Sequence, residues 1–179
     1  MTDVVPAGPA SLPYIGLAKL LAASETFQIE MTPGSGDGEP VTLLTEEQAL
    51  AWIDYPASTR DGGSGQPQIP LAVITSDDGD EWQMNSQFHT TGTLLLSFLF
   101  KIPDVYVDDP PNAELHFRNT VGAIFTEMFN KADTPADDGS HYWNMVEVRQ
   151  LLAPRECDVK HRPAGVAPYY GATYEVRWV

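Results

Sequence analysis

Residues 169–179 alternate strictly between two kinds of side chain. The even-numbered positions hold Tyr170, Ala172, Tyr174, Val176 and Trp178, and the odd-numbered positions hold Thr173, Glu175 and Arg177. This period of two is typical of a strand with one buried face. Terminal residues usually fray unless they pair into a sheet. The pattern therefore predicts that the final segment is a strand that completes the core.

A second strand is predicted from Thr91 to Lys101, and it is apolar on both faces. One face carries Leu94, Leu96, Phe98 and Phe100. The opposite face carries Leu95 and Leu99. Strands of this kind are covered on both sides, so we expect helices on one side and another subunit on the other. Leu95 and Leu99 are therefore the predicted subunit-interface residues.

The first half of the chain contains two helical patterns. Ser11 is placed to cap a first helix, and Phe27 is expected to pack just beyond the end of that helix. Thr45 and Gln48 have the spacing of a capping box, which predicts a short second helix running through Ile53.

A longer helical pattern follows Asp109 and covers residues 112–129, with apolar side chains at helical spacing. We expect this helix to cover one face of the sheet. Residues 70–74 and 143–152 alternate as further strands. The order of elements predicts an α+β fold, in which a mainly antiparallel sheet of about four strands packs against two or three helices, with long loops.

The length of 179 residues fits a single domain, 1–179. Residues 1–12 are expected to form a flexible N-terminal arm. Residues 54–69 are rich in glycine and serine, and we expect a long flexible loop there. Loops of this length are usually functional or disordered. The charged residues of the predicted loop 54–69, Asp54, Arg60 and Asp61, are therefore predicted to face a partner or a lumen.

The formal net charge is −15, and it is unevenly distributed. Residues 1–148 carry 5 basic and 22 acidic side chains, whereas residues 149–179 carry 5 basic and 3 acidic ones. Nucleic-acid binding depends on neutralising phosphates with Lys and Arg, so this balance disfavours direct nucleic-acid recognition. A surface past which DNA slides, a DNA mimic that binds a basic protein, and simple solubility all fit the acidity.

Cysteine usage and hydropathy place limits on the cellular setting. The only cysteine, Cys157, cannot form an internal disulfide, and we expect it to be a small buried apolar side chain. No apolar run has the length of a bilayer span, and the N-terminal residues do not resemble a signal peptide. We therefore expect a soluble protein without a membrane partner.

No motif predicts a catalytic, cofactor or metal site. His89, His116, His141 and His161 fall in separate elements, without the spacing of zinc ligands. Asp137, Asp138 and His141 are close in sequence, but a flexible turn cannot hold catalytic geometry without supporting contacts. A small hydrolase built on them would need a pocket that a sequence cannot reveal. We expect a protein that is not an enzyme and has no cofactor.

Four segments together resemble one known family. They are the early helix 14–24 with Phe27, the strand 70–74, the strand 92–96 with the helix 117–129, and the closing strand 169–178. Their order is similar to that of the tail-terminator and tail-completion proteins of long-tailed bacteriophages. The resemblance implies a homo-oligomeric ring, commonly six-fold, with an acidic lumen for DNA and no catalytic residues.

The resemblance also implies partners and a location. The tail-tube protein and a head connector protein would bind the ring, DNA would pass without specific binding, and the protein would be assembled in the host cytoplasm and reside in the virion. The alternative is a monomeric acidic inhibitor or DNA mimic that captures a basic protein. The two hypotheses differ in oligomeric state, because only the first requires a ring.

Overall fold

A computed structural model describes residues 12–32, 42–55, 71–76, 83–84, 90–134, 144–157 and 169–178. Within these ranges the helices are α1 (Leu12–Ala22), α2 (Glu25–Met31), α3 (Glu46–Leu50) and α4 (Pro110–Lys131), and a 3-10 helix spans Asp104–Tyr106. The strands are β1 (Ile53–Asp54), β2 (Leu71–Thr75), β3 (Gln83–Met84), β4 (Thr90–Lys101), β5 (Met145–Cys157) and β6 (Tyr169–Trp178). The predicted α+β class is confirmed.

The strands form one sheet in the order β1-β2-β4-β6-β5, and β3 pairs with the start of β4. β1 and β2 run parallel, and every other pair is antiparallel. The centre of the sheet is the β4–β6 pair, whose register runs from Gly92 opposite Trp178 to Lys101 opposite Tyr169. The two segments with the clearest alternation in the sequence are therefore the two central strands.

The even-numbered side chains of β4 and β6 form the side of the core that the sheet contributes. They are Leu94, Leu96, Phe98, Phe100, Tyr170, Ala172, Tyr174, Val176 and Trp178, all of them buried. α4 covers them: the Phe125 ring lies 5.0 Å from Tyr174 and 5.8 Å from Phe98, and Phe117 lies 5.7 Å from Phe100. The prediction that the helix after Asp109 covers the sheet is confirmed, and Asp109 caps it through the Asn112 amide.

The prediction that Phe27 packs beyond the end of the first helix is confirmed, because α1 ends at Ala22 and Phe27 is buried. Phe27 lies within α2, a separate helix, and its ring is buried 6.5 Å from that of Phe100. The helical run is interrupted at Ser24. The Ser24 hydroxyl accepts a hydrogen bond from the Phe27 amide at 3.1 Å and so caps α2. Ser11, the predicted cap of α1, lies outside the described residues.

Glu127 of α4 holds the beginning of α2 against the long helix. The Ser24 hydroxyl donates to Oε2 of Glu127 at 2.7 Å, and the Thr26 amide donates to the same oxygen at 3.0 Å. The Thr26 hydroxyl donates to Oε1, and Lys131 donates to the carbonyl oxygen of Ala23. Burial by itself raises the pKa of Glu127, but these hydrogen bonds, with one from the Glu25 amide, outweigh it and lower the pKa.

Two predicted element boundaries need correction. The capping box of Thr45 and Gln48 is confirmed, but α3 ends at Leu50, and Ile53 belongs to the short strand β1. The strand predicted over 143–152 begins at Met145 and continues to Cys157. That extension passes through Pro154, which the strand accommodates because its register shifts between Leu152 and Arg155.

Candidate functional site: the outer face of the sheet

The odd-numbered side chains of β4 and β6, with Val73 and Thr75 of β2, project from the side of the sheet opposite α4, and we call this side the outer face. One row across it is formed by Asp54, Val73, Ser97, Thr173 and Leu152, in the order of the strands. At the centre of this row the hydroxyls of Ser97 and Thr173 share a hydrogen bond of 2.9 Å. The outer face is therefore a mixed surface of hydroxyl and apolar groups, with charges toward its edges.

The structure places the two predicted interface residues, Leu95 and Leu99, on this face, on either side of Ser97 in β4. Leu95 pairs with Glu175 and Leu99 pairs with Gly171 on β6. Both leucine side chains are half-buried. Leu95 and Leu99 therefore share the face opposite the core, and neither side chain is fully exposed.

A groove of about 170 Å³ lies beside Leu99, between β4, β6 and β5. Leu99, Leu152, Arg155 and Cys157 line it, with Gly171 between them. A Cβ atom at position 171 would lie 2.9 Å from the Cys157 sulfur and 3.2 Å from the Phe98 carbonyl oxygen, so a side chain there would fill this space. The groove therefore depends on the glycine in β6.

Cys157 is not the fully buried apolar residue that the sequence predicted. It is half-buried, and its thiol, which lies at the wall of the groove, donates a weak hydrogen bond to the Arg155 carbonyl oxygen at 3.7 Å. In the described part of the chain β5 lies at the end of the strand order, with β6 as its one neighbouring strand, which leaves its side chains less covered.

The charged side chains of the outer face cluster on β5 and the adjoining part of β6. Glu147 pairs with Arg177 at 3.9 Å, and Arg149 lies opposite Glu175. Arg155 adds a third arginine at the groove. Three of the ten basic residues of a chain with net charge −15 therefore share this part of one surface, which agrees with the basic bias of residues 149–179.

The backbone of β5 is irregular where it forms the margin of the described sheet. Its pairing with β6 shifts register between Met145 and Glu147, between Gln150 and Leu152, and between Leu152 and Arg155. Bulges and charged side chains hinder pairing of an edge with another strand. A partner would therefore dock on the outer face more readily than it would extend the sheet.

The three predicted lumen or partner residues do not all fall in the described part of the chain. Asp54 is exposed, but it belongs to β1, opposite Val73, so the prediction that a loop begins at residue 54 is wrong at this residue. Residues 56–69 of the predicted loop lie outside the described residues. Asp54 lies at the opposite margin of the outer face from the β5 arginines. Arg60 and Asp61 lie outside the described residues, as do residues 1–11 of the predicted N-terminal arm.

Among the described residues, no group of three or more His, Cys, Asp or Glu side chains is arranged to hold a metal ion. His116 is half-buried, its ring lies 5.4 Å from that of Tyr106, and burial lowers its pKa. His89, Asp137, Asp138, His141 and His161 lie outside the described residues. None of the described helices has the length and apolar character needed to cross a membrane.

No protein family matches this chain, and no curated protein matches it either. The outer face, with its leucines, groove and arginines, is therefore the candidate site on physical grounds alone. Sequence reasoning placed Leu95 and Leu99 on the face opposite the core and did not predict the groove. The available signal was Gly171, because a glycine inside an alternating strand often marks a close approach of other groups.

Proposed function

We propose that this protein is a structural subunit of a bacteriophage virion, of the tail-terminator or tail-completion type. In this proposal copies of the chain form a ring that joins the tail tube to the head and lets DNA pass. The observation that carries the proposal is the outer face, where Leu95, Leu99 and Leu152 lie together on the surface opposite the helices.

The arrangement of this surface suits a contact between subunits. Interfaces commonly have an apolar, desolvated centre and a polar rim. Here Leu95 and Leu99 flank the hydroxyl pair of Ser97 and Thr173, and Arg149 lies toward the β5 margin. Removal of apolar surface from water is the main favourable contribution to most protein–protein association, so a neighbouring subunit that covers the leucines would stabilise the assembly.

The charge of the chain supports the DNA-passage part of the proposal. A net charge of −15 repels the phosphates of duplex DNA. A ring of such subunits would offer DNA a path with few attractive contacts. The basic residues on the outer face fit the same scheme, because in a ring they would lie between subunits and away from the DNA.

The test is native mass spectrometry of the purified protein over a range of concentrations, together with electron microscopy of negatively stained particles. We expect a closed ring, formed alone or when tail tubes are added. Leu95→Lys should reduce the ring to folded monomers, because it places a charge in the interface. Leu115→Lys is the matched control: Leu115 is an exposed leucine on α4, on the other side of the sheet, and its substitution should leave the ring intact.

A strictly monomeric mass, unchanged by concentration and by added tail tubes, would refute the ring. It would favour the alternative, a monomeric acidic inhibitor that binds a basic partner. Rings that survive Leu95→Lys and dissociate with Leu115→Lys would place the subunit contact on the helices and not on the outer face.

A further inference from the structure

We infer that the groove beside Leu99 receives the turn at residues 104–109 of a neighbouring copy, with Val105 as the inserted side chain. This inference rests on the proposed ring and names the two surfaces that would meet in it. We call residues 104–109 the Val105 turn. It follows β4 and leads into α4, and it includes the 3-10 helix Asp104–Tyr106.

Val105 is the most exposed large apolar side chain in the described part of the chain, with 78% of its surface accessible. The turn that carries it is firmly held. The Tyr106 amide donates to the Pro103 carbonyl at 3.0 Å, the Asp109 amide donates to the Tyr106 carbonyl at 3.1 Å, and the Tyr106 ring packs on His116. An apolar side chain presented on an ordered turn binds with little loss of conformational entropy.

The groove matches this side chain in size and polarity. Its volume is about 170 Å³, and an apolar cavity of about 150 Å³ can hold a benzene molecule. The isopropyl group of valine is smaller than benzene, so it fits. Leu99 and Leu152 supply apolar walls, and Leu152 is itself 50% exposed. Insertion of Val105 would remove three apolar side chains from water at once.

The charges around the two surfaces are complementary. The Val105 turn carries three acidic residues: Asp108 is exposed, Asp104 pairs with Lys101 of its own chain at 3.3 Å, and Asp109 caps α4. Arg155 lines the groove, and Arg149 lies along the same strand. Opposite charges across an interface favour correct pairing and faster association. A partner of any other protein class would need to supply both the apolar side chain and the acidic flank, whereas a second copy already has them.

The turn and the groove are different patches of the chain, so a contact between them is heterologous. Repeated from copy to copy, a heterologous contact closes into a ring when its rotation permits. The pair therefore supplies the two distinct surfaces that a ring requires.

The test uses Cys157 at the wall of the groove, because it is the only cysteine in the chain. In the variant Val105→Cys, insertion would bring the new thiol close to Cys157 of the next copy, and a disulfide forms only when the two Cβ atoms lie about 3.5–4.5 Å apart. With copper phenanthroline as the oxidant that accepts the two electrons, we expect a ladder of linked species up to the ring size on a non-reducing gel.

Two controls make the result specific. Leu115→Cys introduces a thiol at another exposed apolar position, on α4, where the leucine is 53% exposed, and should give at least tenfold less cross-linking. Val105→Cys combined with Cys157→Ala should give no ladder. In a separate arm, Arg155→Glu should weaken ring formation, and mixing it with the double variant Asp104→Lys, Asp108→Lys should restore mixed rings.

The outcomes separate this inference from the proposed function. Rings that form without cross-linking through Cys157 would overturn the inference and leave the proposed function standing. A ladder that stops at the dimer, or a disulfide within one chain, would also overturn it. Monomers that never cross-link would overturn both proposals together.

Discussion

The Trp178 indole packs over Gly92, its direct partner across the β4–β6 pair. A Cβ atom at position 92 would lie 2.8 Å from Cζ2 of the indole, closer than carbon atoms approach without displacement. Trp178 is buried on the same face as the rest of the core. The large side chain on one strand is therefore accommodated by the absence of a side chain on the other.

The first prediction follows from this contact. Gly92→Ala should destabilise the fold by roughly 1–3 kcal/mol, the usual cost of overpacking a core. The rigid indole cannot move aside as a flexible side chain could. In a Trp178→Leu background the same substitution should cost much less, because the conflicting ring atoms are gone. Urea unfolding of the four proteins of this cycle measures the coupling, and equal costs in both backgrounds would contradict it.

The central part of the fold was predictable because a single pattern determined it. Leu94, Leu96 and Phe98 lie at even-numbered positions of β4, and Tyr174 and Val176 lie at even-numbered positions of β6. In both strands the even-numbered side chains are the buried ones. Alternation over ten residues leaves little ambiguity, because a shift of one residue would turn every apolar side chain outward.

The parts that were missed are short or depend on contacts between distant residues. α2 spans only seven residues, and its beginning is held by Glu127, which is 103 positions away from Ser24. β1 has only two residues and exists because it pairs with β2. The groove needs Gly171 and Cys157 to meet across two strands. None of these contacts leaves a periodic signal in the sequence.

A second prediction concerns the cover of the core. Phe125→Ala should destabilise the protein by roughly 3–5 kcal/mol, because it leaves a cavity between α4 and the rings of Phe98 and Tyr174. Phe125 is 9% exposed, whereas Phe129 on the same helix is 42% exposed. Phe129→Ala is thus the matched control and should cost far less. A thermal midpoint that barely moves for Phe125→Ala would contradict the packing of α4.

A third prediction concerns the link between α2 and α4. The folded-state pKa of Glu127 lies below its ordinary value of 4.5, so its carboxylate contributes stability above that pH. The contribution is lost as the pH falls through the folded-state pKa. Glu127→Gln should therefore be less stable than the wild type at pH 7, and this difference should shrink toward pH 3. Thermal midpoints at several pH values measure it, and a difference that is independent of pH would be inconsistent with the hydrogen-bonded carboxylate.

The fourth prediction concerns Glu30, for which the stability should change with pH in the opposite direction. Burial raises its pKa from 4.5 to about 7, so the folded protein holds a proton that the unfolded chain releases between these values. Stability should therefore fall as the pH rises through this window. Glu30→Gln removes the ionisation and should be more stable than the wild type at pH 8, with little difference at pH 4. Glu47→Gln, at an exposed site on α3, serves as the control.

The last prediction tests whether DNA can pass without being held. With a net charge of −15, the wild-type protein should show no salt-dependent binding to duplex DNA, because there are few phosphate contacts whose counterions could be released. Asp54→Lys combined with Asp61→Lys should fold normally, since Asp54 is exposed at the margin of the sheet. If these residues face the lumen, the variant should still form rings but should slow DNA ejection and lower phage titre. The direct measurement is fluorescence anisotropy with labelled duplex DNA at increasing salt. Tight binding by the wild type that weakens as salt rises would contradict the hypothesis that DNA slides past this surface.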